Sequence, residues 1–129
     1  MSHSRDRMIA ELKRVAVPEL RAIGFKGSFP HFRRASDTQV DLLTFQFSAG
    51  GGRFVVEIGK FPPQGYVLYG KLIAAAEVKM AHLLRSLRLG AKDESSDHWF
   101  NYESGDYARI AESVVPYIRG QAAEWWSNA

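Results

Sequence analysis

Apolar residues near the start of the chain recur mostly at the three- and four-residue steps of an amphipathic helix. The stripe consists of Met8, Ile9, Leu12, Val15, Leu20 and Ile23. This spacing predicts an N-terminal helix with one apolar side. Pro18 lies inside the helix and predicts a kink or a restart, because proline removes one backbone donor and crowds the preceding turn. We expect Gly24 to end the helix.

The next part of the chain contains three strand candidates, two of which alternate between apolar and polar residues. We predict these strands at about residues 29–35, 38–48 and 53–61. In the second strand, Phe45 and Phe47 point to one face of the sheet and Gln46 points to the other. The glycine-rich run at residues 49–52 supplies a tight turn, so the second and third strands form an antiparallel hairpin.

The end of the chain predicts a short strand and a final helix. The strand lies at about residues 97–102, and Asp106 is the expected N-cap of the helix. The apolar stripe of this helix consists of Tyr107, Ile110, Ala111, Val114, Ile118, Ala122 and Trp125. Pro116 predicts a bend. Trp125 is therefore expected in the core, whereas Trp126, about 100° further round the helix, packs elsewhere on the domain, lies exposed or joins a homodimer contact.

The pattern over residues 66–92 is ambiguous. Its apolar positions fit a helix, but residues 82–89 fit a strand equally well. Apart from this segment, the element order is a helix, a three-stranded meander, one further strand and a helix. This order predicts a single α+β domain over residues 1–129, with an antiparallel meander sheet and both terminal helices packed on one of its faces. That face carries Phe45, Phe47, Phe54, Val56 and Ile58.

A series of short motifs along the chain resembles one known family. The motifs are Leu20–Lys26, Phe32-Arg33, Phe45–Ser48, Phe54–Gly59, Arg88–Gly90 and Asp97–Phe100. Their order is similar to that of a bacterial family, the domain of unknown function DUF4304, from about Leu12 to the final helix. The family usually has two tryptophans where this chain has Trp99-Phe100. The resemblance implies a bacterial, cytoplasmic protein and favours a strand at residues 82–89, but it implies no activity and no catalytic residues.

Composition narrows the classes of protein to which the chain can belong. Hydrophobic residues make up 46% and charged residues 24%, as in a soluble globular domain. The chain has no cysteine, which excludes disulfides, thiolate nucleophiles and cysteine-ligated metals. Its longest apolar run, residues 72–76, is far shorter than the about 20 residues that a membrane span requires. Without a secretory signal at the start, we expect a cytoplasmic protein with no membrane contact.

Charge is distributed unevenly along the chain. Residues 1–35 hold eight Lys and Arg against three Asp and Glu, whereas the remaining residues hold nine against eleven. A basic N-terminal third is suited to nucleic acid or to an acidic partner, but a solvated helix face with ordinary lysines and arginines is the preferred explanation. Since the net charge is only +3, nucleic-acid binding is an alternative and not the first hypothesis.

The familiar catalytic and cofactor motifs are absent from the sequence. His3, His31, His82 and His98 have no spacing typical of metal ligands, and there is no G-x-S-x-G motif. The Gly50–Gly52 run precedes a predicted strand and not a helix, so it is a hairpin turn and not a phosphate loop. We therefore predict no metal, no cofactor and no catalytic residues, and a small enzyme is the least favoured alternative.

The polar face of the predicted sheet is the candidate binding site. Gln46, Glu57 and Arg33 are expected to point outward together, with Arg88 joining them if its segment is a strand and Trp99 at the rim. Arginine is suited to bidentate recognition of carboxylate or phosphate. The sequence thus predicts a non-enzymatic interaction module that uses this face to bind a protein or a small anionic ligand.

Overall fold

The long helix α1 (Ser2–Ala22) opens the computed structural model, which describes residues 2–128. Its apolar stripe is buried, and the helix continues through Pro18 without the restart that was predicted. Leu12 and Leu20, on either side of the proline, are both fully buried in one core, and this packing supports a single helix. Gly24 ends the helix as predicted: its φ is +99°, and the Phe25 N–H donates to the Leu20 carbonyl at 2.9 Å.

An antiparallel sheet forms the centre of the fold. The strands of this sheet are β1 (Lys26–Ser28), β2 (His31–Ala35), β3 (Val40–Phe47), β4 (Arg53–Phe61), β7 (Leu87–Arg88) and β8 (Phe100–Asn101). Two further strands, β5 (Gly65–Leu68) and β6 (Lys71–Ala74), pair only with each other. The order in the main sheet is β1-β2-β3-β4, and β7 and β8 both pair with β4. Phe45 lies opposite Val56 and Gln46 opposite Val55, which confirms the predicted hairpin.

The terminal helices pack on the face of the sheet that the sequence predicted. Phe45, Phe54, Val56 and Ile58 are almost completely buried against them. Several aromatic rings continue this core, and the rings of Phe54 and Phe100 stack with centroids 5.2 Å apart. The α+β class and the placement of both helices are thus confirmed. In the described residues, 2–128, no helix has the length and apolar character needed to cross a membrane.

The final helix differs from its prediction in one detail. It consists of α2 (Tyr107–Tyr117), a π-helical turn (Ile118–Ala122) and α3 (Ala123–Ser127), and Asp106 precedes it without a capping side-chain hydrogen bond. Trp126 is buried, which agrees with the expectation that it packs on the domain, but it takes the core position predicted for Trp125, which is only partly buried. A π turn contains one more residue than an α turn, so it shifts the buried stripe by one position towards the end of the chain.

Residues 62–86 form neither the helix nor the long strand that the sequence allowed. They contain the separate hairpin β5–β6 and two 3-10 turns, Ala75–Glu77 and Met80–His82. We call these residues the cover segment, because they lie over part of the sheet face opposite the helices. There they build a second hydrophobic core, whose members are Val40, Leu42, Phe61, Val78, Tyr66, Ile73, Ala75, Met80 and Leu83. Of the strand predicted at residues 82–89, only Leu87 and Arg88 pair with β4.

Candidate binding face of the sheet

The cover segment divides the outer face of the sheet into a covered half and an open half. The covered half carries Leu42 and Arg33, which lie opposite each other in β3 and β2. We call the other half the open face. Its residues are His31, Thr44, Gln46, Arg53 and Glu57, together with Arg88 from β7. The predicted face therefore exists, but about half of it is occupied by the protein itself.

Arg33 belongs to the covered half and is not free to bind a partner. Its guanidinium donates to the Ala75 carbonyl at 2.8 Å and to the Val78 carbonyl at 2.7 Å. It also lies 5.9 Å from the centre of the Phe61 ring. Arg33 thus points to the same face as Gln46, as predicted, but it fastens the cover segment to the sheet. Arg33 is therefore on the predicted face of the sheet, but the carbonyls of the cover segment already engage both arms of its guanidinium.

Gln46 and Glu57 lie on the open face, in neighbouring strands. Gln46 is exposed, and its amide has no hydrogen-bond partner among residues 2–128. Glu57 is partly buried and accepts a hydrogen bond of 2.5 Å from the Ser86 hydroxyl. Thr44 lies directly opposite Glu57, and its hydroxyl is hydrogen-bonded to Nδ1 of His31 at 3.2 Å. Of these groups, the Gln46 amide is the one best placed to meet a partner.

Trp99 lies at the rim between two arginines. The guanidinium carbon of Arg53 is 4.3 Å from the centre of the indole ring, and that of Arg88 is 5.7 Å away. Arg88 also forms an ion pair of 2.6 Å with Asp97. The sequence analysis missed Arg53, although its position two residues before Val55 in an alternating strand places it on the outer face.

A cleft of about 750 Å³ adjoins the open face and reaches the edge of β3. Apolar side chains on its walls include Ile9, Phe29, Phe47 and Met80, and polar ones include Arg5, His31, Gln46, Glu57 and Lys79. Gln46 and Glu57 are the predicted site residues that it brings together. Arg33, Arg88 and Trp99 do not line it. Arg5 and Lys79 were missed, because α1 and the cover segment contribute them from distant parts of the chain.

Several ionisable groups with shifted pKa values lie away from this cleft, around the end of the final helix. The Arg85 guanidinium donates to Glu94 at 2.6 Å and lowers the pKa of that carboxyl. Burial lowers the pKa of Lys60, with a further contribution from Arg85. The Lys60 ammonium donates to the carbonyls of Trp125, at 2.8 Å, and Asn128. These groups hold the end of the chain on the sheet, which is a structural role.

Comparison with known proteins gives one match. No curated protein and no solved structure matched the chain. Over the part of the chain that the structure describes, no cluster of three or more His, Cys, Asp or Glu side chains is placed to hold a metal ion. The sequence model of the family described as Domain of unknown function (DUF4304) matches residues 16–128, which covers most of the chain and confirms the resemblance. The chain therefore belongs to the DUF4304 family.

Proposed function

We propose that this protein is a non-enzymatic interaction module that binds a segment of another polypeptide in the cleft beside the open face. The observation that carries this proposal is the composition of the cleft, where apolar walls border the unengaged amide of Gln46. Binding sites in proteins commonly combine apolar surface with a few polar groups that orient the ligand. The volume of about 750 Å³ is large enough for several residues of an extended chain.

A polypeptide fits this arrangement better than a small anion does. The two arginines that the sequence offered for an anion are already engaged, Arg33 by two carbonyls and Arg88 by Asp97. An anion would have to displace these hydrogen bonds. The two that Arg33 donates to carbonyls contribute about 1.5–3 kcal/mol each, whereas the more exposed ion pair of Arg88 with Asp97 contributes about 0–1 kcal/mol. At the cleft itself, the cations Arg5 and Lys79 favour a partner with acidic residues.

Nucleic-acid binding is less well supported. It requires aromatic rings that are free to stack with bases. Phe32 is 3% exposed, and Phe29 stacks on Phe45 with centroids 5.0 Å apart. The aromatic rings near Arg33 and Arg34 are thus used in packing.

A homodimer can no longer be argued from Trp126, which is buried. Exposed apolar side chains of the cover segment offer another surface for a dimer: Val67 and Leu72 are cross-strand neighbours and are 62% and 65% exposed. Sedimentation velocity over a range of protein concentrations measures the oligomeric state, and a monomer at the highest concentration would exclude the dimer.

Selection from a phage library of random dodecapeptides tests the proposed function. Selected peptides should bind the wild-type protein and the control variant Lys92→Glu, which changes the same charge at an exposed residue outside the cleft. They should bind the double variant Gln46→Ala/Lys79→Glu at least tenfold more weakly. If no peptide is enriched, or if all three proteins bind the peptides equally, the proposed function is wrong.

A further inference from the structure

The edge of β3 is unpaired along the side of the cleft. β2 begins at His31, which lies opposite Thr44, and the Phe45 N–H donates to the Pro30 carbonyl at 3.0 Å. Beyond this point, β3 continues to Phe47 with β4 on its other side. Within residues 2–128, no strand pairs with this last part of β3 on the β2 side.

The free backbone groups at this edge can be identified from the hydrogen bonds around them. The N–H of Phe45 points towards β2, and the N–H of Ser48 points towards β4, where it donates to the Arg53 carbonyl at 3.0 Å. Backbone groups in a strand alternate in direction with a period of two residues. The N–H and carbonyl of Phe47 therefore point away from β4. The Phe45 carbonyl points the same way and faces Pro30, which has no N–H to donate.

From this edge we infer that the partner binds by strand addition: an extended segment pairs with β3 at Phe47 and continues the sheet. The inference rests on the proposed function and specifies its binding mode. In such complexes, main-chain hydrogen bonds supply affinity and alternate side chains supply specificity. The segment lies in line with β2 and occupies the cleft that this edge borders.

The surroundings of the edge specify the chemistry of the segment. On the helix side, Ile9, Phe29 and Phe47 form an apolar wall, so every second residue of the segment is apolar. The Arg5 guanidinium lies 5.2 Å from the centre of the Phe47 ring, without an acidic partner among the described residues. Arg5 and Lys79 outnumber Glu57, the carboxylate among the lining residues of the cleft, so the segment carries acidic residues where it lies next to the two cations.

The position of this edge also suits a specific interaction. Long exposed strand edges promote aggregation, and proteins keep them short or flank them with charge. Here the unpaired part covers about two residues of β3, Gln46 and Phe47, and a cation lies next to it. A segment must therefore match both the backbone and the side chains of the cleft in order to bind.

Hydrogen exchange measured by NMR tests the inference, with the selected dodecapeptides as probes. At saturating peptide, exchange of the Phe47 amide should slow at least tenfold. The amide of Gly27, in the edge strand β1, is the control and should not change, because β1 pairs with β2 on its inner side and Gly27 does not line the cleft. N-methylation at successive positions of the peptide should weaken binding strongly at the residue whose amide faces the Phe47 carbonyl and little at its two neighbours, an alternation that arises because adjacent peptide amides point in opposite directions.

The outcomes separate the two proposals. If peptides bind in a manner that depends on Gln46 and Lys79, but Phe47 exchange is unchanged and the N-methyl scan shows no alternation, strand addition is wrong and the proposed function stands. If no cleft-dependent peptide is found, both are wrong. If the Phe47 amide becomes protected without peptide as protein concentration rises, the edge pairs with a second copy of the chain, and the inferred partner segment is overturned.

Discussion

We expect the substitution Arg33→Met to lower the free energy of unfolding by about 2–4 kcal/mol. It removes two hydrogen bonds, from a charged donor to the carbonyls of Ala75 and Val78. Such bonds contribute about 1.5–3 kcal/mol each, and the expected total lies below twice this range because a carbonyl near the surface regains water when the guanidinium is lost. The aliphatic part of the side chain, which methionine retains, continues to pack on the second core.

Urea denaturation followed by tryptophan fluorescence measures this change. The slope of the transition should stay the same while its midpoint falls, since the surface exposed on unfolding is unchanged. Arg33→Lys should have an intermediate effect, because an ammonium has no second arm with which to reach both carbonyls. Arg109→Met is the control: Arg109 forms only an exposed ion pair with Asp106 at 3.4 Å, so its loss should cost less than about 0.5 kcal/mol.

A second measurement locates the effect. Amide exchange in the cover segment should accelerate in Arg33→Met more than exchange in β3 and β4, because the lost bonds connect only the cover segment to the sheet. A variant within 0.5 kcal/mol of the wild type, with unchanged exchange over residues 62–86, would refute the structural role that we assign to Arg33.

Three further predictions concern other parts of the fold. Trp126→Ala should lower the free energy of unfolding, measured by urea denaturation, by about 3–5 kcal/mol, and Trp125→Ala by clearly less, since Trp126 is the buried one of the two. Equal losses would contradict the conclusion that the π turn shifts the buried stripe by one position. Gly90→Ala should lower stability by more than about 1–3 kcal/mol in the same assay, because φ is +95° and a Cβ would lie 2.3 Å from a histidine ring atom; a neutral effect would show that the loop adopts another conformation. For Glu94, whose folded-state pKa is lowered chiefly by its arginine partner, the stabilisation is present above the unfolded pKa and is lost as the pH falls through the folded one. The stability difference between wild type and Glu94→Gln, followed by thermal denaturation at several pH values, should therefore shrink on acidification, and a constant difference would argue against this ion pair.

The parts of the fold that local pattern predicts well are those in which each segment has a single period. β3 and β4 alternate regularly and are joined by a glycine-rich turn, so their antiparallel pairing could be predicted, with strand bounds correct to within about two residues. The two terminal helices likewise follow from their apolar stripes. The core position was assigned to Trp125 and not to Trp126 because a π turn changes the period within the helix. The residue types in that turn give no signal from which the change could have been predicted.

The cover segment could not be predicted because long-range contacts determine its structure. Its apolar residues are spaced as in a helix, yet those that are buried, such as Val78, belong to a core with the sheet residues Val40 and Leu42, which lie far away in the sequence. The hydrogen bonds of Arg33 to the cover segment could not be predicted for the same reason, because the two carbonyls that accept them are 42 and 45 residues further along the chain. For the candidate site, strand alternation predicted that Gln46 and Glu57 share a face. The contributions of Arg5 and Lys79 depend on tertiary packing that alternation does not encode.

Met80 and Leu83 have two neighbours at once, the second core and the cleft. A ligand that rests on these side chains makes contacts that exist only while the cover segment is closed. Ligand affinity and the local opening equilibrium of residues 62–86 are then thermodynamically linked, and each kilocalorie that favours closure increases the occupancy of the cleft. Under the proposed function, substitutions such as Arg33→Lys, which lie outside the cleft, are therefore expected to weaken peptide binding.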